Sequence, residues 1–211
     1  MRAGVNVLLR SPQKILGHSR VGLITNPTGV TRDLTSTIDA FHRDPGIELA
    51  AIFGPEHGAR GDAQDAMPVE SYVDPATGVP VHSLYGGTRR PTAEMLEGVD
   101  SLIFDIQDVG ARFYTYASTL TYTIEAAAEE GIPLIVLDRP NPINGIEVEG
   151  KILDPRFASF VGLHPIPIRH GMSIGELARL INAGIGAGLR VVEMEGWRRG
   201  MWFDETGLPW V

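Results

Sequence analysis

Five short apolar runs recur along the chain, and each is separated from the next by a segment with helical or turn character. The runs are residues 20–25, 47–53, 100–106, 132–137 and 189–194. Their lengths are typical of strands, and consecutive positions in each run are mostly apolar. Strands that are apolar on both faces belong to parallel sheets whose two faces are covered by helices.

Amphipathic helical patterns lie between these runs. They cover residues 34–41, 91–96, 116–128 and 173–181. The last begins with Ser173 and Glu176, whose spacing is that of a capping box. Alternation of buried strands with such helices predicts a doubly wound, Rossmann-like α/β fold with a mostly parallel sheet and helices on both faces. The pattern leaves the strand order open.

Two segments, residues 54–90 and 139–172, are much longer than the about two to six residues that usually connect strands and helices. Within the second, residues 146–153 suggest a hairpin that turns near Gly150. Loops of this length in a compact domain usually carry function. We therefore expect two long functional loops at the carboxyl edge of the sheet.

Composition excludes several classes of function. A net charge of −8 argues against nucleic acid or an anionic membrane as a partner, and the absence of cysteine excludes disulfides and thiolate chemistry. No apolar run is long enough to span a bilayer, and no signal peptide is recognisable. The expected location is cytoplasmic, or periplasmic or extracellular if the native start lies upstream. The GxGxxG, GxxxxGK[ST], GxSxG and HExxH motifs are also absent.

Polar side chains follow the first four predicted strands. They are Asn26 and Thr28 after the first; Glu56, His57, Arg60, Asp62 and Asp65 after the second; Asp105, Gln107, Asp108, Arg112, Tyr114 and Tyr116 after the third; and Asp138, Arg139, Asn141 and Asn144 after the fourth. Ligands of open parallel sheets bind beyond the carboxyl ends of the strands. The sequence therefore predicts a polar pocket for a hydroxyl-rich ligand with a negative group.

Each of these residues also has a structural interpretation. Glu56 could cap a turn, and Asp105 and Asp108 could bind backbone amides at a helix start. Asp138 and Arg139 could form an internal ion pair. The candidate histidines could be hydrogen-bonded core residues, and the tyrosines could be part of the apolar core.

The pocket chemistry is compatible with three classes of function. Paired carboxylates suit glycoside hydrolysis, in which one acid protonates the leaving oxygen. Glu56, Asp105 and Asp138 could alternatively hold a divalent cation in a metal-dependent hydrolase or phosphotransfer enzyme. The third class is a non-catalytic sugar-binding module.

Six motifs, in order, resemble those of one bacterial family. They are VGLITNPTGV (21–30), FGPEHGARG (53–61), DIQDVGARFYTY (105–116), LDRPNPING (137–145), HPIPIRHGMSIGELA (164–178) and FDETGLPWV (203–211). The chain resembles the exo-β-N-acetylmuramidases, peptidoglycan-trimming glycoside hydrolases that were long a domain of unknown function. The resemblance implies a Rossmann-like N-terminal domain and a smaller C-terminal domain with the active site between them.

On this basis residues 1–211 are expected to be the Rossmann-like catalytic domain, with the second domain missing from the chain. We then expect an exposed apolar surface near Trp197, Trp202 and Trp210, and self-association through it. On this interpretation the chain on its own lacks one side of the active-site cleft, and we expect the full activity to require the second domain.

The resemblance also suggests roles for the polar residues, with a muropeptide or amino-sugar as substrate and no metal or cofactor. Glu56 is the first choice for the catalytic acid, with His57 orienting it and Asp105 or Asp108 as the second carboxylate. Arg112 and Arg139 are candidates for binding the lactyl carboxylate of N-acetylmuramic acid. The remaining predicted substrate-binding residues are Asn26, Arg60, Gln107, Tyr114, Asp138, Asn141 and His170.

Overall fold

The computed structural model describes residues 1–61 and 71–211, so Asp62 and Asp65 lie outside the described residues. The helices are α1 (Gly4–Leu8), α2 (Pro12–Leu16), α3 (Thr37–Arg43), α4 (Tyr116–Glu130) and α5 (Ile174–Ile185). The strands are β1 (Arg20–Thr25), β2 (Glu48–Gly54), β3 (Tyr72–Val73), β4 (Pro80–Ser83), β5 (Ser101–Asp105), β6 (Leu134–Leu137) and β7 (Leu189–Val192).

The described strands form one sheet in the order β3-β4-β2-β1-β5-β6-β7. Every neighbouring pair is parallel except β3 and β4. The order changes direction at β1, which pairs with β2 on one side and β5 on the other. Such a change places a crevice at the carboxyl edge, where the chain leaves these central strands. The α/β, Rossmann-like fold predicted from the sequence is confirmed.

Two buried apolar clusters lie on opposite faces of the sheet because successive strand residues point to opposite sides. In β5, Phe104 packs in the cluster that contains Leu120 of α4 and Leu177 of α5. The preceding residue, Ile103, packs in the cluster that contains Phe41 of α3. The sheet is therefore covered on both faces.

The structure corrects the prediction for both long segments. Residues 54–90 include β3 and β4, which extend the sheet, so they are more than a loop. The predicted hairpin at 146–153 was wrong: Glu149 forms an isolated antiparallel bridge with Arg169, across the second segment. The short helix predicted at 91–96 is a 3₁₀ turn, Glu94–Leu96.

The described part of the chain contains no helix that is both long enough and apolar enough to cross a bilayer.

Candidate functional site

Glu56 lies in a tight turn directly after β2. The Gly58 N–H donates to the Pro55 carbonyl at 2.9 Å, and His57 between them has a positive φ of 71°. This backbone region is disfavoured for residues with a Cβ, and such conformations concentrate at functional sites. Gly54 precedes the turn, and a Cβ there would lie 2.6 Å from the Ala59 nitrogen. The turn therefore closes tightly and presents Glu56 with a half-buried side chain.

The segment before α4 holds the Glu56 carboxylate. Thr115 Oγ1 donates to Glu56 Oε2 at 3.0 Å, and the Tyr116 hydroxyl donates to the Glu56 main-chain oxygen at 3.2 Å. Among the described residues, Oε1 accepts no hydrogen bond. Glu56 is thus fixed at one oxygen and open at the other, and its side chain does not cap its own turn.

Two tyrosine rings pack beside this carboxylate, edge to face, with centroids 4.8 Å apart. Burial raises the pKa of Tyr116 to about 12, although a hydrogen bond with Asn26 opposes that change. Burial also raises the pKa of Tyr114, and the negative charges of Asp108 and Glu56 add to that rise. Both phenols therefore stay protonated at neutral pH, and Tyr114 lies within the electrostatic reach of two carboxylates.

Asp108 is the second carboxylate of this group, and it is paired with His170. Its Oδ2 accepts the Gly110 N–H at 2.8 Å and lies 3.3 Å from His170 Nε2. The Met172 N–H donates to His170 Nδ1 at 3.2 Å, whereas the buried His170 Nε2 makes no hydrogen bond to the described residues. Within residues 1–61 and 71–211, the buried Asp108 Oδ1 has no hydrogen-bond partner. Buried carboxylate oxygens are normally bonded, so this one has capacity for a further donor.

Asp105 is enclosed in the fold. Both of its oxygens bind Arg139, at 2.7 and 2.9 Å, and one also accepts the Thr37 hydroxyl at 2.5 Å. Arg139 additionally donates to the Val30 carbonyl. The Asp105 side chain is 0% exposed and both of its oxygens are bonded, so it offers no group to a ligand in this arrangement. The predicted ion pair between Asp138 and Arg139 is wrong, because Arg139 pairs with Asp105 instead.

Asp138 caps α5. Its oxygens accept the Gly175 N–H at 2.8 Å and the Ser173 hydroxyl at 3.1 Å. Burial raises its pKa to about 6, against the opposing effect of these two donors. Glu56, Asp105 and Asp138 all follow strands at the carboxyl edge, but Asp105 and Asp138 direct their oxygens to protein donors. Among the described residues, no three His, Asp or Glu side chains are grouped as metal ligands.

Several other predicted binding residues instead brace the loops. Arg60 binds Asp74 and Asp39, and Gln107 Nε2 donates to the carbonyls of Asp108 and Pro140. Asn141 bonds with the backbone of Ile143 and Met172, while Arg112 Nη1 donates to the Lys151 and Ile166 carbonyls. The structure therefore brings together Glu56, Asp108, Tyr114 and His170, with Asn26 reaching them through Tyr116.

Sequence reasoning did not identify two residues near this group. Thr115 holds the Glu56 carboxylate, and its only signal was its place between two tyrosines in a motif. Arg89 follows β4, a strand that begins at Pro80 and was not recognised. Proline is acceptable at the first residue of a strand, and that rule was the available signal.

Comparisons with known proteins relate the chain to one family. The family model described as "Exo-beta-N-acetylmuramidase NamZ, N-terminal" matches residues 21–211. The chain is 57% identical over 213 residues to the peptidoglycan beta-N-acetylmuramidase NamZ of Bacillus subtilis (strain 168), covering 100% of this chain and 51% of that protein.

Two solved structures of DUF1343 family proteins from Bacteroides fragilis NCTC 9343 are also similar. The first has a TM-score of 0.92 and 47% identity, and the match covers 100% of this chain and 54% of that chain. The second has a TM-score of 0.81 and 35% identity, with coverages of 95% and 53%. The chain thus spans about half the length of the relatives that it matches.

Proposed function

The chain belongs to the family of NamZ exo-β-N-acetylmuramidase N-terminal domains, and we propose on this premise that it acts in removing terminal N-acetylmuramic acid from peptidoglycan fragments. The name of the Bacillus subtilis relative, a peptidoglycan beta-N-acetylmuramidase, supports this reaction class. The observation that carries the proposal is the geometry of Glu56, a carboxyl group fixed through one oxygen and open at the other. The cytoplasmic location and the second domain stay predictions.

In the proposed reaction, Glu56 is the general acid. Thr115 fixes Oε2, so the protonated carboxyl group presents Oε1 to the glycosidic oxygen of the substrate. Proton transfer to that oxygen as the bond to the anomeric carbon breaks allows the rest of the fragment to leave as an alcohol. Water then bonds to the anomeric carbon and gives a proton to a carboxylate of the site, which releases free N-acetylmuramic acid. The rigid turn at His57 and the hydroxyl of Tyr116 keep the acid in place during this step.

We assign the second carboxylate role to Asp108, because Asp105 has both oxygens bound to Arg139. Oδ1 of Asp108 is buried but makes no hydrogen bond to the described residues, so its negative charge is not neutralised there and acts through space on the anomeric carbon, whose charge becomes positive in an oxocarbenium-like transition state. The Gly110 N–H donates to the other oxygen, and His170 Nε2 lies 3.3 Å from it. The protonated Tyr114 phenol, which both carboxylates influence, is a hydrogen-bond donor to the sugar.

The substitution Glu56→Gln tests the acid role, since it preserves shape and removes the transferable proton. Hydrolysis of an N-acetylmuramic acid glycoside with a poor leaving group should fall about a hundredfold or more. A glycoside with an activated phenolic leaving group needs less protonation, so its rate should fall much less. Steady-state rates on the two glycosides measure the difference.

Glu130→Gln is the matched control, because Glu130 is an exposed carboxylate on α4. It should leave both rates unchanged. Equal losses on the two glycosides in the Glu56 variant would contradict the acid role. These rates are measured in a full-length version of the protein, in which substrate binding without turnover would instead indicate a sugar-binding module.

A further inference from the structure

The segment after β4 brings an additional cation to the carboxyl edge of the sheet. β4 is parallel to β2 and pairs with it from Ile52–Val81 to Gly54–Ser83, so the two strands end side by side. Glu56 follows β2, and Arg89 follows β4 in the loop that leads to the 3₁₀ turn. The Arg89 side chain is exposed.

An aromatic ring supports the Arg89 guanidinium. Its central carbon lies 4.2 Å from the centroid of the Phe160 ring, within the range of a cation–π contact. Phe160 in turn stacks on Tyr122 of α4, with centroids 6.2 Å apart and planes at 8°. The cation therefore rests on a surface that α4 supports, and its position is restricted although it is exposed.

The same helix connects this surface to Glu56. The Ser118 hydroxyl donates to the Phe160 carbonyl at 2.6 Å, and the Ser118 N–H donates to the Thr115 carbonyl at 2.9 Å. Thr115 is the residue that holds the Glu56 carboxylate. Phe160, whose ring supports Arg89, and Glu56 are thus both hydrogen-bonded to residues at the start of α4.

Among the described residues, Arg89 differs from the other arginines of this edge in donating no hydrogen bond to a carboxylate or a carbonyl. Arg60 and Arg139 are paired with aspartates, and the adjacent Arg90 is paired with Glu129. Arg112 Nη1 donates hydrogen bonds to the Lys151 and Ile166 carbonyls. In the part of the chain that the structure describes, Arg89 makes only the ring contact. Its guanidinium is consequently available for an external anion.

We propose that Arg89 is the specificity-determining residue that binds a carboxylate of the substrate beside the acid. The proposal rests on the proposed function and deepens it. N-acetylmuramic acid carries a lactyl carboxylate that N-acetylglucosamine lacks, and an attached peptide carries carboxylates of its own. Both present the planar anion that a guanidinium binds with two hydrogen bonds.

Calorimetric titration of Arg89→Ala tests the contact. The ligands are N-acetylmuramic acid, its methyl ester and muramyl dipeptide, in which the lactyl group is an amide. We expect the affinity for a carboxylate ligand to fall about ten- to hundredfold, the range for loss of a charged hydrogen bond. Affinity for the methyl ester should be unchanged. A loss confined to N-acetylmuramic acid identifies the lactyl carboxylate, and one confined to muramyl dipeptide identifies the peptide.

Arg43→Ala is the matched control. Arg43 is exposed at the end of α3, which leads into the start of β2 and hence to the opposite edge of the sheet. It should leave all three affinities unchanged. Equal affinities in the Arg89 variant and the unaltered protein, or an equal loss with the methyl ester, would overturn the proposal. So would a carboxylate preference that Arg112→Ala removes and Arg89→Ala keeps.

Kinetics separate this proposal from the proposed function. Hydrolysis of a chromogenic N-acetylmuramic acid glycoside by the unaltered protein supports the reaction, whatever Arg89 does. Absence of that hydrolysis together with Arg89-dependent binding would overturn the reaction and keep the carboxylate contact. If the lactyl carboxylate is bound, Arg89→Ala should raise KM for the muramic glycoside and leave the N-acetylglucosamine glycoside unaffected.

Discussion

The acidic residues after the parallel strands differ in how many of their carboxylate oxygens are already bonded. Asp105 and Asp138 each have both oxygens occupied by groups of the fold. Glu56 and Asp108 each retain an oxygen without a hydrogen bond among the described residues. A carboxylate with a vacant oxygen can exchange a proton or stabilise charge in a ligand, whereas a saturated one stabilises the fold.

The substitution Asp105→Asn tests whether the Asp105 carboxylate stabilises the fold. Removing one charge of a buried pair leaves Arg139 uncompensated, so the free energy of unfolding should fall by about 3–5 kcal/mol. Urea denaturation measures the loss. Asp33→Asn, at an exposed aspartate, is the control and should change stability little. An unchanged unfolding free energy, combined with a large fall in turnover, would return Asp105 to the catalytic residues.

The sequence predicts that these acidic residues lie at one edge of the sheet. It does not distinguish the carboxylates that are bonded within the fold from those that keep an unbonded oxygen. Strand ends follow from apolar runs, and parallel strands end together, so the clustering was predictable. The occupancy of each oxygen depends on distant partners: Thr37 and Arg139 for Asp105, and Ser173 for Asp138. No local pattern in one sequence reports such pairings.

At the scale of secondary-structure elements, α5 combines a predicted cap with an unpredicted one. The Ser173–Glu176 capping box is present, as its spacing indicated. Beneath it, Asp138 accepts the Gly175 N–H, and a Cβ on Gly175 would lie 2.8 Å from the Asp138 carboxyl carbon. The glycine thus allows a buried acid to approach the first turn of the helix.

This arrangement predicts a pH-dependent stability. The pKa of Asp138 is raised to about 6 from 3.8, so the folded state binds its proton more tightly than the unfolded state. Stability should therefore fall as pH rises from about 4 to about 6, and the loss persists above that window. Asp138→Asn removes this titrating group. The free energy of unfolding of the variant, relative to that of the unaltered protein, should therefore rise by up to about 3 kcal/mol between pH 4 and pH 6. Denaturant unfolding at pH 4 and pH 7 measures the difference, and a constant difference would contradict the raised pKa.

Elements were predictable where their apolar pattern was long enough. The five predicted strands are all present, with ends displaced by about one or two residues. β4 was missed because it begins with proline and continues with only one apolar residue, Val81, before His82 and Ser83, and β3 because it has two residues. Because β4 was not predicted, Arg89, which follows it, was not among the candidate residues of the carboxyl edge.

At the scale of the whole molecule, the chain presents an apolar surface that its sheet and helices do not cover. It lines a recess of about 610 Å³ formed by Val109, Pro142, Ile143, Phe203, Asp204, Leu208 and Trp210. Trp202 and Trp210 are 47% and 55% exposed, and Trp197 is half-buried. The family resemblance predicted this exposure, because the three tryptophans lie where the second domain is expected to pack. Contiguous exposed apolar surface is characteristic of sites of association.

We therefore expect the protein to self-associate through this surface. Trp210 packs edge to face on Phe203 at 4.8 Å, so Trp210→Asp places a charge within the surface without disturbing the sheet. Sedimentation velocity at increasing concentration should show association of the unaltered protein and a marked reduction in the variant. Phe157→Asp is the control, because Phe157 is 72% exposed but does not line the recess. A concentration-independent monomer, or equal reductions in the two variants, would contradict association through the Trp210 surface, because a charge would then act through solubility alone.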